Sequence, residues 1–216
     1  MTVTLEIDHV FVMTDPGAPV ADELVEAGIS EGTSRSHPGQ GTSNRRFFFE
    51  NVMFEFLWIR DPVEASSELV QPTRLLERWR LRDTGGSPFG ICFRPATQSD
   101  ESPPFTTREY RPPYLPDDRS IEIADNAGAI EEPFLFFLPW VLPRENVPDH
   151  DAGLGALTEV TVRAPMRRPP TDALRTVGRL VHFEEAATHH LTLVFDKNGH
   201  GKTLDLRPRC PVTIRY

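Results

Sequence analysis

The chain has 216 residues, 38% hydrophobic and 25% charged, which is typical of a globular protein that buries a core without disulfides. Its formal net charge of −9 leaves no basic excess to neutralise phosphates, so we expect neither nucleic acid nor an anionic membrane as a partner. Two cysteines are too few for a disulfide framework or a cysteine-based zinc site. The first residues lack the pattern of a signal peptide, and the most apolar stretch, Pro133 to Pro143, is too short to span a bilayer, so we expect a cytoplasmic protein.

The first 62 residues predict a strand, a helix and three further strands, which together make a βαβββ module. The opening stretch is rich in β-branched and aromatic residues, as strands are, and the helix has apolar residues at helical spacing before Gly28. The last two strands are joined by a tight hairpin at Glu50 and Asn51. The predicted strands cover residues 3–13, 31–43 (weak), 45–49 and 52–59, and the helix covers 18–27.

The middle of the chain divides into a connecting segment, residues 63–87, and a strand-containing segment, residues 88–153. The first carries an amphipathic helix over residues 72–82, and the second carries strands over 89–94, 120–124 and 133–138. Residues 96–118 contain five prolines and no regular pattern. Such a segment is unusual in a compact domain unless it forms a lid or an arm, and a flexible surface insertion is the alternative.

Residues 154–216 repeat the pattern of the opening module. A strand over residues 157–164 precedes a helix that begins near Pro170, and strands follow over 180–184, 190–195, 202–207 and 212–216. An internal repeat of this kind suggests that the repeated units pack together. We therefore expect the four segments to form one compact α+β unit in which the two ends of the chain pair into one curved sheet system.

Two ionisable residues lie on strand faces that are otherwise apolar. Alternation places His9 with Leu5, Ile7 and Phe11, and Glu55 with Met53, Leu57 and Ile59. Uncompensated burial of such groups costs several kcal/mol, so each needs a partner or a metal. Either the two side chains converge on a divalent metal, or they form a satisfied pair in the core.

Several segments together resemble the vicinal-oxygen-chelate superfamily. The opening module is similar in IDHVFV (residues 7–12), HPGQGTSNRRFFF (37–49) and VMFEFLW (52–58), while HPGQGTSN and PFLFF (133–137) resemble the glyoxalase-like subgroup. The resemblance implies an α+β fold of paired βαβββ modules forming cupped mixed sheets. In that superfamily the modules enclose a metal whose open positions bind substrate oxygens. Its members include lyases, isomerases, dioxygenases and metal-free binding proteins.

The resemblance also implies a ligand set. His9 matches the metal ligand of the first strand, and Glu55 matches the ligand of the strand that closes the first module, where it would also be the catalytic carboxylate. His37, beside the glycine-rich turn, is a third candidate ligand, with a solvated turn histidine as the alternative. Gly90 and Phe137 stand where a histidine and a glutamate are expected. A divalent metal (zinc, manganese, iron or nickel) would therefore have an incomplete ligand set, and a metal-free protein is the other outcome.

Four residues are predicted to contact a small-molecule ligand: Asn44, Arg46, Trp58 and Phe137. A cationic or amide group among Asn44, Arg45 and Arg46 would bind an anionic substrate. The leading hypothesis is a metal-dependent lyase, isomerase or dioxygenase, and the alternative is a metal-free protein that sequesters a small molecule. A third hypothesis is an interaction module whose proline-rich segment docks a partner. A homodimer is also expected, because modules of this superfamily often pair across dimers.

Overall fold

In the part of the chain that the structure describes, the strands lie in two sheets, one of eight strands and one of five. The computed structural model describes residues 5–97, 102–143, 147–165 and 168–216. The start of the first predicted strand and residues 98–101 of the proline-rich segment lie outside the described residues. Within these ranges, no helix has the length and apolar character needed to cross a membrane.

The first module forms one half of the eight-stranded sheet. Its β1 strand pairs in parallel with the last strand of the module, which in turn pairs in an antiparallel hairpin with the strand before it. The predicted helix is shorter than expected, because its first turn is a 3-10 turn at Pro19–Ala21. The elements are β1 (Leu5–Met13), α1 (Asp22–Glu26), β2 (Arg35–His37), β3 (Thr42–Phe48) and β4 (Met53–Ile59).

The middle of the chain forms the other half of the same sheet. Two short helices, α2 (Pro62–Ala65) and α3 (Leu75–Leu81), lead into β5 (Phe89–Pro95), β6 (Thr107–Tyr110), β7 (Ile121–Ala124) and β8 (Phe134–Phe137). The strand order is β2-β3-β4-β1-β5-β8-β7-β6, so each half has its first strand at the centre and its last strand beside it. The halves are therefore paired modules of one curled, mixed sheet. The strand β6 lies within the segment that was expected to be irregular.

The C-terminal segment forms the second sheet by itself. It consists of β9 (Leu157–Ala164), α4 (Asp172–Thr176), β10 (His182–Glu185), β11 (His190–Phe195), β12 (Thr203–Asp205) and β13 (Val212–Arg215), in the order β10-β9-β11-β13-β12. The expectation that the two ends of the chain pair into one sheet system is wrong. The first module pairs instead with the middle strands, through an antiparallel contact between β1 and β5.

The main hydrophobic core lies between the two sheets. Val10 and Phe54 from the eight-stranded sheet meet Val160 and Leu193 from the five-stranded sheet in one buried cluster. Full burial of a side chain of this size contributes about 1.5–3 kcal/mol. The five-stranded sheet thus covers one face of the eight-stranded sheet and leaves the opposite, cupped face for a second cluster and the site.

Helix α3 packs on this cupped side and is fixed by a buried arginine. The Arg78 guanidinium donates to the Glu132 carbonyl oxygen over 2.5 Å and makes longer contacts with the carbonyl oxygens of Ala127, Ala129 and Ile130. Burial lowers the pKa of Arg78 to about 10, so the group stays charged at neutral pH. The residues that carry these carbonyl groups directly precede β8. The hydrogen bonds of Arg78 therefore hold α3 against the second half of the sheet.

Candidate functional site

A cavity of about 140 Å³ lies on the cupped face of the eight-stranded sheet. Five of the seven side chains that were predicted to form a site line it: His9, His37, Asn44, Arg46 and Glu55. They belong to β1, β2, β3 and β4, which are the strands of the first module. The charged and imidazole groups of the cavity therefore come from one module.

His9 faces the cavity because β1 contains a bulge. The register between β1 and β5 shifts between Ile7 and His9, so Ile7 packs against the main core while His9 points into the cavity. There its ring meets Phe136 edge-on, with centroids 5.2 Å apart. The prediction that Leu5 and Ile7 share a face with His9 and Phe11 is wrong, since a bulge reverses the alternation of side chains.

Asp8 lies at this bulge and orients the ring of His9. The Nδ1–H of His9 donates to Oδ2 of Asp8 over 2.6 Å, and Asp8 is only 2% exposed. The Nε of the buried Arg94 lies 3.7 Å from Oδ1 of Asp8, so the two groups form an ion pair. Because Nδ1 is bonded to the carboxylate, Nε2 is the nitrogen of His9 that can act on a ligand.

Glu55 is buried in the middle of β4, with Arg46 opposite it on β3 and Phe11 opposite it on β1. Burial raises the pKa of its carboxyl, and the charge of His9, a hydrogen bond from Asn44 and the charge of Arg46 offset this rise only in part. A carboxyl that retains its proton above the usual pH range is suited to proton transfer.

His37 turns inward at the end of β2, so the alternative of a solvated turn histidine is wrong. Its Nδ1 lies 2.8 Å from the Thr42 hydroxyl, which also accepts a hydrogen bond from Gln40 Nε2 over 2.8 Å. The Thr42 hydroxyl can donate its proton to Nδ1, and in that tautomer the proton of the ring lies on Nε2. Burial, together with the charges of Arg35 and Arg46, lowers the pKa of His37 to about 3, and the ring is neutral at physiological pH.

The described part of the proline-rich segment covers the cavity. The hydroxyls of Tyr110 and Tyr114 donate to Oε1 of Gln40 over 3.1 and 3.2 Å. The ring of Tyr114 packs against His37 with centroids 4.8 Å apart. Both tyrosines line the cavity, and burial raises the pKa of each. These contacts favour a covering role for this segment over a loose surface insertion.

Two residues that were predicted to contact a ligand, Trp58 and Phe137, lie on the opposite face of the sheet. Both pack with the main core, because side chains alternate along β4 and β8 and place Glu55 and Phe136 toward the cavity. The prediction that they contact a ligand is wrong for this cavity. Phe136 occupies the position that was assigned to Phe137.

The second module lines the cavity with apolar side chains. Phe134 and Phe136 from β8 pack against each other with centroids 5.2 Å apart, and Phe11 lies 6.2 Å from each of them. Ile123 and Leu138 extend this wall. One cavity thus combines a polar half and an aromatic half.

The three predicted metal ligands, His9, His37 and Glu55, all line the cavity. Their ligand atoms do not all lie within 4.8 Å of one another, as the ligands of a single metal ion would. Within the described ranges, the group of three whose ligand atoms lie within 4.8 Å of one another is Asp8, His9 and Cys92. This group offers a carboxylate, an imidazole and a thiol, and a metal could bind there. The neighbouring Arg94 cation opposes it, since it already lies beside the Asp8 carboxylate.

The positions expected to supply ligands from the second module do not fit a metal centre. A Cβ at Gly90 would lie 2.1 Å from the ring of Phe11, so a histidine has no room there. On β8 the side chains that face the cavity are Phe134 and Phe136, neither of which is a ligand. A metal held at Gly90 and on β8 therefore does not fit these residues, and the ligand that the second module does offer is Cys92 on β5.

Comparison with known proteins supports the fold of the chain and does not identify its activity. No protein-family model and no curated protein sequence matches the chain. A hypothetical protein from Staphylococcus aureus is similar in structure, with a TM-score of 0.52, 11% identity and 98% of each chain covered. A methylmalonyl-CoA epimerase in complex with methylmalonyl-CoA and NH4+ has a TM-score of 0.41 and 14% identity over 66% of this chain and 99% of that chain. The same enzyme from Mycobacterium tuberculosis has a TM-score of 0.38 and 11% identity over 63% and 88%. The first of these likenesses shows that the chain shares the fold of that protein. The paired modules of the curled eight-stranded sheet are consistent with the vicinal-oxygen-chelate fold.

Proposed function

We propose that the cavity binds a small carbonyl compound and that Glu55 transfers a proton to or from a carbon beside the carbonyl, as in an isomerase or a lyase. One observation carries the proposal: the buried carboxyl of Glu55 shares a cavity with His9, His37 and Arg46. Perturbed carboxyls that lie in clefts with hydrogen-bond donors are typical of proton-transfer sites.

Each polar group has a role in this reaction. Glu55 is the general acid and base, a function that contributes about 10²–10⁴-fold in rate. His9, oriented by Asp8 through the bond at 2.6 Å, is the second proton carrier. The Nε2–H of His37 and the Arg46 guanidinium donate to the oxygen that becomes negative as the proton leaves, and one such donor contributes about 10²–10³-fold.

No step of this proposal depends on a metal. A divalent ion would polarise the carbonyl oxygen, but Gly90 and Phe136 offer no ligands on the side of the second module. Stabilisation of the developing negative charge is therefore assigned to Arg46 and His37. Burial of the lining groups under Tyr110 and Tyr114 strengthens these electrostatic interactions.

Hydrogen exchange in D2O tests the proposal without knowledge of the product. Small 2-oxo acids, 3-oxo acids and aldehydes are incubated with the protein, and deuterium at the carbon beside the carbonyl is followed by proton NMR. We expect Glu55→Gln to lower exchange by about 10²-fold or more while binding is retained. Glu26→Gln, an exposed carboxylate of α1, is the matched control and leaves exchange unchanged. Undiminished exchange in Glu55→Gln contradicts the role of this residue.

A metal-free binding protein is the second candidate function, and the aromatic wall of Phe11, Phe134 and Phe136 favours it. In that case compounds bind equally to the natural protein and to Glu55→Gln. Exchange in D2O is then absent for every compound that binds. The same two measurements thus separate an enzyme from a binding protein.

We also propose that the chain is a member of the glyoxalase-like subgroup that acts in the cytoplasm as a homodimer. The HPGQGTSN turn supports the first point, since it carries His37 into the cavity. The net charge of −9 supports a free small molecule as partner instead of nucleic acid. Sedimentation equilibrium tests the oligomeric state, and a single species at the mass of 24.4 kDa contradicts the dimer.

A further inference from the structure

Five residues in register form a row across the cupped face of the eight-stranded sheet. Arg46 on β3 lies opposite Glu55 on β4, Glu55 opposite Phe11 on β1, Phe11 opposite Gly90 on β5, and Gly90 opposite Phe134 on β8. Neighbouring strands lie about 4.8 Å apart, so the row spans roughly 19 Å. It runs from a cation, through a carboxyl, to aromatic rings.

The first end of this row carries an excess of positive charge. Two arginines, Arg35 and Arg46, line the cavity, and the acidic residue among its lining residues is Glu55. The Nε of Arg46 already donates to the Thr33 carbonyl oxygen over 2.6 Å, so its terminal nitrogens are the ones assigned to a ligand. The excess is positive even when Glu55 is ionised. The whole chain has a net charge of −9, so the cavity differs in sign from the protein around it. Guanidinium groups match carboxylates in both charge and shape.

The other end of the row has the size and character of an aromatic subsite. Phe11, Phe134 and Phe136 surround it, and ring centroids of 5.2–6.2 Å between them are typical of packed aromatic groups. The cavity volume of about 140 Å³ is close to that of an engineered cavity of about 150 Å³ that binds benzene. This volume includes the polar end, so a ligand that occupies both ends is small: one ring or branched group with a short acid chain.

We propose that the ligand is a small carboxylate with one aromatic or branched apolar group, and that it lies along this row. Its carboxylate meets Arg35 and Arg46, and its apolar group packs on Phe134 and Phe136. The carbons between them then face Glu55, so the class is that of aromatic or branched oxo acids. This inference rests on the proposed function of the cavity as a small-molecule site.

Calorimetric titration with matched compounds tests the class. The panel holds phenylpyruvate, phenylacetate, the neutral isostere phenylacetamide, the cation phenethylamine and acetate. We expect phenylacetate to bind about tenfold more tightly than both phenylacetamide and acetate. Arg46→Gln should remove the preference for acid over amide, and the exposed control Arg179→Gln should keep it. If Arg46→Gln does not fold, Arg35→Gln and an increase in ionic strength serve as the test. Both should weaken the binding of the acids and leave the binding of phenylacetamide unchanged.

The outcomes separate the inference from the function on which it rests. Equal binding of acid and amide, or preference for the cation, overturns the anionic end while the small-molecule site stands. Equal binding of acetate and phenylacetate overturns the apolar end. If neither these compounds nor a library of neutral fragments binds, the inference and the proposed function fail together.

Discussion

Replacement of Glu55 by Gln should stabilise the protein relative to the natural chain, by an amount that grows as the pH rises. Burial raises the pKa of Glu55 above the value of 4.5 that it has in the unfolded chain, so the folded state binds this proton more tightly. Between the unfolded and folded pKa values, the free energy of unfolding of the natural protein therefore falls with rising pH. Gln cannot titrate, and its amide oxygen still accepts from Asn44.

The size of this effect follows from linkage. Each unit by which the folded pKa exceeds 4.5 lowers the stability of the natural protein by about 1.4 kcal/mol at high pH. For a chain of this length, 1 kcal/mol corresponds to about 2–4 °C in Tm, so each unit adds about 3–6 °C to the advantage of Glu55→Gln. The advantage is absent below about pH 4, where Glu55 is protonated in both states.

Differential scanning calorimetry from pH 4 to pH 8 measures this difference. The exposed Glu26→Gln serves as the control and should show a constant offset from the natural protein. A gap between Glu55→Gln and the natural protein that shrinks with rising pH would refute the reasoning. It would mean that His9, Arg46 and Asn44 stabilise the ionised carboxylate by more than its burial costs.

Three further predictions concern the packing of the site and its metal content. Arg78→Met removes a buried guanidinium and strands the carbonyl oxygens it holds, so unfolding by urea should show a loss of about 3 kcal/mol, against little change for the exposed Arg80→Met. Gly90→Ala places a Cβ 2.1 Å from the ring of Phe11 and should cost about 1–3 kcal/mol, partly recovered when Phe11→Leu is added; an unchanged Tm in the single variant contradicts the close packing. A chelator should leave the Tm within about 1 °C, and a larger fall that Cys92→Ser abolishes would instead establish a metal at the group formed by Asp8, His9 and Cys92.

Local patterns in the sequence predicted the elements better than their pairing. The strands Leu157–Ala164 and His190–Phe195 have the predicted bounds, because apolar and β-branched periodicity is a property of short segments. The partner of β1 could not be predicted in this way. Its contact with β5 joins residues about eighty positions apart, and the repeat at the C-terminus pointed to the wrong segment.

The candidate site shows the same limit at the scale of single residues. His9 and Glu55 share a cavity as predicted, but His9 does so through a bulge that strand alternation does not reveal. A shift of one residue along β8 exchanges Phe137 for Phe136, because neighbouring side chains of a strand face opposite sides. The role of Asp8 could have been predicted, because it stands directly before His9 in the segment IDHV.

Other parts of the site had no signal in the sequence. Arg94 reaches Asp8 only because β5 pairs with β1, and Gln40 meets Tyr110 and Tyr114 only because the proline-rich segment folds over the first module. These contacts depend on tertiary structure alone. Spacing along the chain therefore identified the central groups and missed those that position or cover them.

The two modules differ in the side chains that they present to the cavity, and this difference favours the proposed ligand over a metal at the expected positions. A metal centre between paired modules needs donor atoms from both, yet Gly90 lies beneath the ring of Phe11, and β8 presents Phe134 and Phe136. A divalent ion at the centre of the cavity would receive no ligand from β8, and the ligand of the second module that lies near His9 is Cys92 on β5. The same rings give an apolar group a complementary surface. The side chains that leave β8 without metal ligands are thus the ones that line the proposed aromatic subsite. The proposed function accordingly assigns the stabilising positive charge to Arg46.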